Sequence, residues 1–319
     1  MEATWDHAVV LHFWTFQECS SETIGRIFLS TLVKFGFVPN KFGDEDPPTH
    51  KFDMSSTNSL LKLWSERPGQ LNLQRLGRMG FQALLHLSGR MPTLIAFAVH
   101  DEYFQSEENI AKFLELSGEL YALLRPFHGD ISHNKDRESK TVIITPIKIG
   151  NRTVNAETHI PAQPIKGLPG IFWANYLGPP FVDFYTKSKL EAAPAYSKKS
   201  LHDGGYLIMT SRSPLDYFKP ETNSVETNLI AYLGPDTIFD KALPDRILRS
   251  PFPPPHNTTP NPAFIESTPP LSMSENLRNC PKCGESKNVE ETSRESQNSL
   301  VGFKCQSCGE RWLVHASLL

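Results

Sequence analysis

Four of the five cysteines close the chain, as Cys280-Pro281-Lys282-Cys283-Gly284 and Cys305-Gln306-Ser307-Cys308-Gly309. Two Cys-x-x-Cys pairs with 21 residues between them supply four thiolates, and four soft donors in tetrahedral geometry suit a single Zn²⁺. Two residues between cysteines let the backbone fold into a tight knuckle, so both sulfurs face one ion. The glycine after each second cysteine permits the positive φ such a turn often needs. Asn288–Glu291, Leu300–Lys304 and Arg311–His315 read as short strands around these knuckles, the layout of a zinc ribbon with one structural ion held by Cys280, Cys283, Cys305 and Cys308. The competing chemistry, two disulfides, needs an oxidising compartment, and nothing in the sequence points to one.

A ribbon of this size buries too little apolar surface to be stable without its metal. Its charge bears on its use. From Arg278 to Leu319 there are six Lys or Arg against five Asp or Glu. Phosphate contacts dominate nucleic-acid affinity and call for a clear basic excess. Structural or protein-binding use is therefore favoured over nucleic-acid binding, with Trp312 expected to cover the metal site.

Other chemistry is sparse. The chain has no Walker loop, no dinucleotide glycine fingerprint, no GxSxG elbow and no HExxH, so no catalytic residue is assigned and a non-enzymatic protein is expected. His128, Asp130 and His133 are close in sequence but read as a polar turn. Asp101-Glu102 reads as a solvated lead into the next helix. His7 and His12 differ in parity along one strand and cannot share a face. Cys19 reads as a buried or turn residue. The 319 residues carry a net charge of −3, with 39% hydrophobic and 10% aromatic residues. This is enough for a substantial core and gives no polyanion-binding signal. No apolar run reaches the ~20 residues of a membrane span, and Met1–His7 lacks a basic leader, so a cytoplasmic protein with no membrane contact is expected.

The elements that position these residues follow from periodicity. His7–Phe16 and Thr93–His100 are apolar enough for central strands. Ser20 or Ser21 caps a helix whose apolar residues run Ile24, Ile27, Phe28, Thr31, Leu32, Phe35 to a stop at Gly36. A short helix over Asn58–Arg67, strands over Leu71–Gly77 and Phe81–Ser88, a helix from Ser106 to Leu124 ended by Pro126, and a strand at Phe127–Ser132 complete the first half. The order approaches the βαββαβ plait. After a charged loop, Asn134–Lys140, come strands at Thr141–Ile149 and Ile171–Leu177. A helix from Gly178 to about Ala192 follows, then strands at Lys198–Leu201 and Gly205–Ser211 joined by Asp203-Gly204, and a helix at Glu226–Leu233. This second set is either a degenerate repeat of the first or a continuation of one sheet. Between Leu243 and Ser274 nine prolines mark a semi-extended spacer.

The densest aromatic block is Gly167-Leu168-Pro169-Gly170-Ile171-Phe172-Trp173-Ala174-Asn175-Tyr176-Leu177-Gly178-Pro179-Pro180. A strand with Trp173 and Asn175 on one face has a polar demand that an interface or a buried network would meet, which nominates Trp173, Asn175, Tyr176 and Asp183 for partner binding. This block, with Ala193-Pro194-Ala195-Tyr196 and Gly204-Gly205, resembles the bacterial immunity proteins of polymorphic toxins, in particular the immunity-protein-52-like set. The resemblance covers about fifty residues and implies a protein that binds and neutralises a cognate toxin. The appended ribbon departs from the usual single-domain form of that set.

The sequence thus predicts an α+β protein: a ferredoxin-like antiparallel sheet with helices packed on it, duplicated or not, plus a C-terminal zinc ribbon. The body spans 1–240, with candidate halves 1–133 and 140–240, the linker 243–274 and the ribbon 276–319. The function expected is an immunity-type inhibitor. The alternative is a zinc-ribbon adaptor contacting nucleic acid or a larger assembly.

Overall fold

The computed structural model describes residues 5–53, 57–66, 69–75, 80–87, 92–149, 152–159, 164–252, 289–295, 300–308 and 311–315. The chain divides into two compact units, Met1–Pro253 and Pro254–Leu319.

The first unit is an α+β structure built on one long antiparallel sheet. Its first strand, β1 (Ala8–Thr15), is followed by α1 (Glu22–Lys34), β2 (Lys41–Gly43), β3 (His50–Lys51), α2 (Thr57–Ser65), β4 (Leu71–Arg75), β5 (Phe81–Leu85) and β6 (Thr93–His100). Next come α3 (Glu107–Leu124), β7 (His128–His133), α4 (Asn134–Thr141) and the strands β8 (Val142–Ile149) and β9 (Arg152–His159). The unit continues with β10 (Ala174–Leu177), α5 (Pro179–Tyr185), α6 (Lys187–Glu191), β11 (Ser197–Ser200), β12 (Tyr206–Met209) and α7 (Pro220–Leu233). Ten strands form one sheet in the order β11-β12-β10-β7-β1-β6-β5-β4-β2-β3, while β8 and β9 form a separate two-stranded sheet. β10, β12 and β11 extend the sheet that β1 to β7 begin, so 1–133 and 140–240 share one sheet rather than folding as two.

Local chemistry sets the helices. Ser21 caps α1 by accepting from the Ile24 amide, and Phe28, Leu29, Thr31 and Leu32 form its buried stripe. In α3 the buried residues run Ile110, Phe113, Leu116, Ser117, Leu120, Tyr121, Leu124, and Arg125 ends it in the left-handed region at φ 44°.

Strand alternation gives the sheet two faces. One carries Val9, Leu11 and Phe13 of β1, Ile95, Phe97 and Val99 of β6, Ile131 and Tyr176, in one core with the buried residues of α1, α2 and α3. The other carries Leu177, Tyr206 and Ile208 against Phe181, Val182, Tyr185, Leu190, Leu229 and Leu233 from α5, α6 and α7.

Residues 243–252 belong to this unit, so the spacer starts later than Leu243. Phe252 packs edge-on against Phe127 at 5.0 Å and Phe16 at 5.7 Å, Arg249 pairs with Asp236, and Ser250 donates to the Ile165 carbonyl at 2.6 Å. One aromatic anchor outweighs the proline content up to that point.

The second unit shows a three-stranded antiparallel sheet, β13 (Val289–Glu295), β14 (Leu300–Cys305) and β15 (Arg311–His315), in that order. The rest of the spacer, with Cys280 and Cys283, lies outside the described residues.

Candidate functional site

The centre of the sheet holds a polar cluster that the strands assemble by register. His12 of β1 lies directly opposite Asp130 of β7, and Asn175 of β10 lies opposite Asp130 on its other side. His128, two residues before Asp130, shares their face. Gly129 between them is required: a Cβ there would run into the Phe13 ring and, at 2.9 Å, the His12 carbonyl. From α4, Arg137 donates through Nη2 to Asp130 Oδ1 and through Nε to Ser132 Oγ at 3.3 Å, with its guanidinium 4.6 Å above the Phe172 ring.

The centre of the cluster is sealed, while the His12 and Arg137 side chains at its edge each keep 16% exposure. His128, Asp130 and Ser132 are 0% exposed. Burial pushes the His128 imidazole down to about 4, and Arg137 adds to the effect. His12, whose Nδ1 sits 3.6 Å from Asp130 Oδ1, is lowered by burial and by Arg137. Burial alone would raise the Asp130 carboxyl. The Arg137 guanidinium and the two imidazoles outweigh it and hold the group well below the carboxylate range. Both ring nitrogens of His128 and Asp130 Oδ2 are buried without a hydrogen-bond partner among the described residues. Arg137 takes up the charge of Asp130, which makes this a structural ion pair rather than a metal cradle, and no metal-holding group of three or more His, Cys, Asp or Glu occurs among the described residues.

The helix that supplies Arg137 was expected to be a charged loop. α4 carries almost no apolar residue, so nothing in its periodicity announces it. Charge holds it instead. The His133 side chain caps it by accepting from the Lys135 amide. Lys140 reaches Asp136 at 2.9 Å, Glu226 at 2.7 Å and the Ile171 carbonyl at 2.7 Å. Burial lifts Glu226 to about 7, against the pull of Lys140.

The surface end of the site begins at that cap. His133 does not join His128 and Asp130. Its Nε2 lies 3.4 Å from Asp101 Oδ2, which His7 Nδ1 also approaches at 3.3 Å, and His100 Nδ1 lies 3.3 Å from Oδ1. Asp101 is thus a hub for three histidines and not a solvated lead-in. Tyr217 stacks on His133 at 4.6 Å, and Phe218 packs edge-on to Tyr217 at 5.4 Å and stands 67% exposed. Phe218 carries no signal in the sequence, since a lone Phe in a turn has no period.

Three of the nominated partner-binding residues are interior. Trp173 is 2% exposed and donates to the Ser211 carbonyl at 3.0 Å. Asn175 pins the preceding turn, accepting from the Phe172 amide at 3.0 Å and donating to its carbonyl at 2.8 Å. Tyr176 shares a 2.6 Å hydrogen bond with Ser117 and stacks on Tyr121. The polar demand of this strand is met by a buried network; only Asp183 reaches the surface. In the second unit, Cys305 is buried at the end of β14 and Cys308 is exposed in the turn after it.

No protein-family model matches the chain, and no curated protein does. Among solved structures it is similar to the Pseudomonas aeruginosa T6SS protein PA0821, at 12% identity over 80% of this chain and 92% of that one, with a TM-score of 0.44. A likeness so distant leaves function to be read from the residues. No helix among the described residues is long and apolar enough to cross a membrane.

Proposed function

We propose that the chain is a non-enzymatic protein-binding inhibitor of the immunity type, whose first unit occludes a cognate toxin. The observation that carries this reading is where the chemistry sits. His128 and Asp130, of the types that acid–base catalysis uses, are fully buried, with His12 and Arg137 mostly covered beside them, and they serve the fold. Phe218, the most exposed aromatic among the described side chains of the first unit, is held outward on a braced turn, as an interface anchor is. The strand order β7-β1-β6-β5, with α1 after β1 and α3 between β6 and β7, supports reading the first half as a ferredoxin-like plait with strands added at both edges. Co-expression with a toxin encoded nearby tests the function: rescue should need about one inhibitor per toxin, because occlusion turns nothing over. Rescue far below that ratio identifies an enzyme and overturns the reading.

The second unit is proposed to be a zinc ribbon. Cys305 and Cys308, at a strand end and its turn, are soft donors that fit Zn²⁺, with Cys280 and Cys283 completing the set from sequence. The ion would supply folding free energy and no chemistry. Elemental analysis should find one zinc per chain, lost in Cys283→Ser; protein purified under reducing conditions without zinc refutes the assignment.

A further inference from the structure

The segment after β12 makes a rigid shelf. Ser211 Oγ donates to the Ser213 carbonyl at 2.8 Å, the Leu215 amide to Ser213 Oγ at 3.2 Å, and the Lys219 amide to the Asp216 carbonyl at 2.9 Å. Tyr217, stacked on the 3%-exposed His133, then ties the turn to the sheet, and Phe218 packs edge-on against Tyr217. Phe218 is therefore presented from a braced backbone, which lowers the ordering cost of binding.

The charge around it is one-sided. The elements that meet here, the turn at 101–105, the first turns of α3, and the segment from Ser211 into α7, carry Asp101, Glu102, Glu107, Glu108, Asp216 and Glu221 against Lys112, Arg212 and Lys219. All three cations are engaged, Arg212 with Glu107 at 2.6 Å, Lys219 with Asp216 at 2.7 Å and Lys112 with Glu108 at 2.7 Å, which leaves a net excess of three carboxylates.

We propose that this shelf docks a cationic protein surface, with Phe218 seated in an apolar recess between the partner's Lys and Arg side chains. The proposal rests on the binding reading above and names the chemistry of its partner. Carboxylates around an aromatic anchor steer a basic partner in and penalise an acidic one, while the anchor slows dissociation.

A random dodecapeptide display library panned on the immobilised full chain tests it. Peptides enriched at about 50 mM NaCl should carry net positive charge and an aromatic or aliphatic residue. They should bind roughly tenfold more weakly at about 300 mM NaCl, where screening shortens the range of the field. They should also bind roughly tenfold more weakly to Phe218→Ser, and to the pair Glu107→Gln with Glu221→Gln. These side chains are solvent-exposed, so the variants should melt as the parent does. Enrichment of neutral or acidic peptides, of peptides that bind Phe218→Ser equally, or of none at all overturns the shelf. A toxin neutralised equally by the parent and by Phe218→Ser overturns the shelf and leaves the inhibitor reading standing. Shelf-dependent cationic peptides with no toxin neutralised do the reverse.

Discussion

Replacing His128 by leucine should change how stability depends on pH more than it changes stability itself. His128 is 0% exposed, with both ring nitrogens lacking a partner among the described residues, so the imidazole sits neutral beside Arg137 and is pushed down to about 4 from 6.5. In the unfolded chain it takes up a proton near 6.5. Between about pH 6.5 and pH 4 the unfolded state thus binds one more proton than the folded state, and stability falls as pH falls. At about 1.4 kcal/mol per pH unit this is roughly 3 kcal/mol across the window, with no further loss from this group below pH 4. His12 and His133 are lowered too and act in the same direction. Asp130 is held low, so its contribution disappears only below the ordinary carboxylate range, a separate window. At pH 7 an apolar replacement removes two unsatisfied polar atoms, and His128→Leu should be near neutral or mildly stabilising. Urea unfolding followed by tryptophan fluorescence at pH 7, 6, 5 and 4.5 reads the difference. The variant should gain on the parent steadily as pH falls, approaching roughly 3 kcal/mol near pH 4. A parent-to-variant difference that stays constant across the series would show that His128 titrates alike in both states and refute the account of the cluster.

Three further outcomes follow from the same geometry. Arg137→Met should cost about 3–5 kcal/mol by leaving Asp130 buried without its cation, and adding Asp130→Asn should recover part of it; equal melts for Arg137→Met and the parent would sink the ion-pair reading. Trp173→Ala should cost about 3–5 kcal/mol as a core truncation, and a stability unchanged within about 0.5 kcal/mol would return Trp173 to the surface. Ending the chain after Ala242 should lower the melting temperature of the first unit, whereas ending it after Pro253 should not, because Phe252, Ser250 and Arg249 anchor that stretch; identical melts for the two truncations would restore the earlier boundary.

The elements legible in the sequence are those whose apolar residues repeat with a period. β1 and β6 announce themselves by unbroken apolar runs, α1 by its stripe, serine cap and clear stop, and α3 by its stripe and the stop before Pro126, although Ser106 makes no side-chain capping bond. α4 is illegible for the opposite reason, since its helical register is fixed by Asp130, Asp136 and Glu226, two of them on other elements, and no local pattern encodes a remote partner. The same holds for the cluster. His12 and Asp130 are 118 positions apart in the sequence and meet only because β1 pairs with β7. Asn175 shows how a correct inference can lead to the wrong place: the polar demand on that strand is real, yet the Phe172 backbone satisfies it from three residues away. The continuation of the sheet through β10, β12 and β11 depends on β7 presenting a second edge, which strand propensity does not report.

α4 connects the two ends of the site. Its capping residue, His133, braces Tyr217 and through it Phe218, while Arg137, one turn on, neutralises Asp130 inside the sheet, and Lys140 ties the helix end to Glu226 of α7. A helix this polar has little hydrophobic reason to stay where it is, so its position depends on those buried charges being in place. Loss of the Arg137–Asp130 pair should therefore be felt at Phe218 as well as in stability, since the cap and the plug belong to one short helix. An apolar α4 would hold the helix against the sheet more simply, but without Asp130 and the imidazoles to receive a cation, nothing would select Arg137 for the inward face or set the rotation that points His133 toward Asp101. The buried ion pair thus orients the helix as well as anchoring it, and that orientation is what lets the surface aromatic stand on a fixed base.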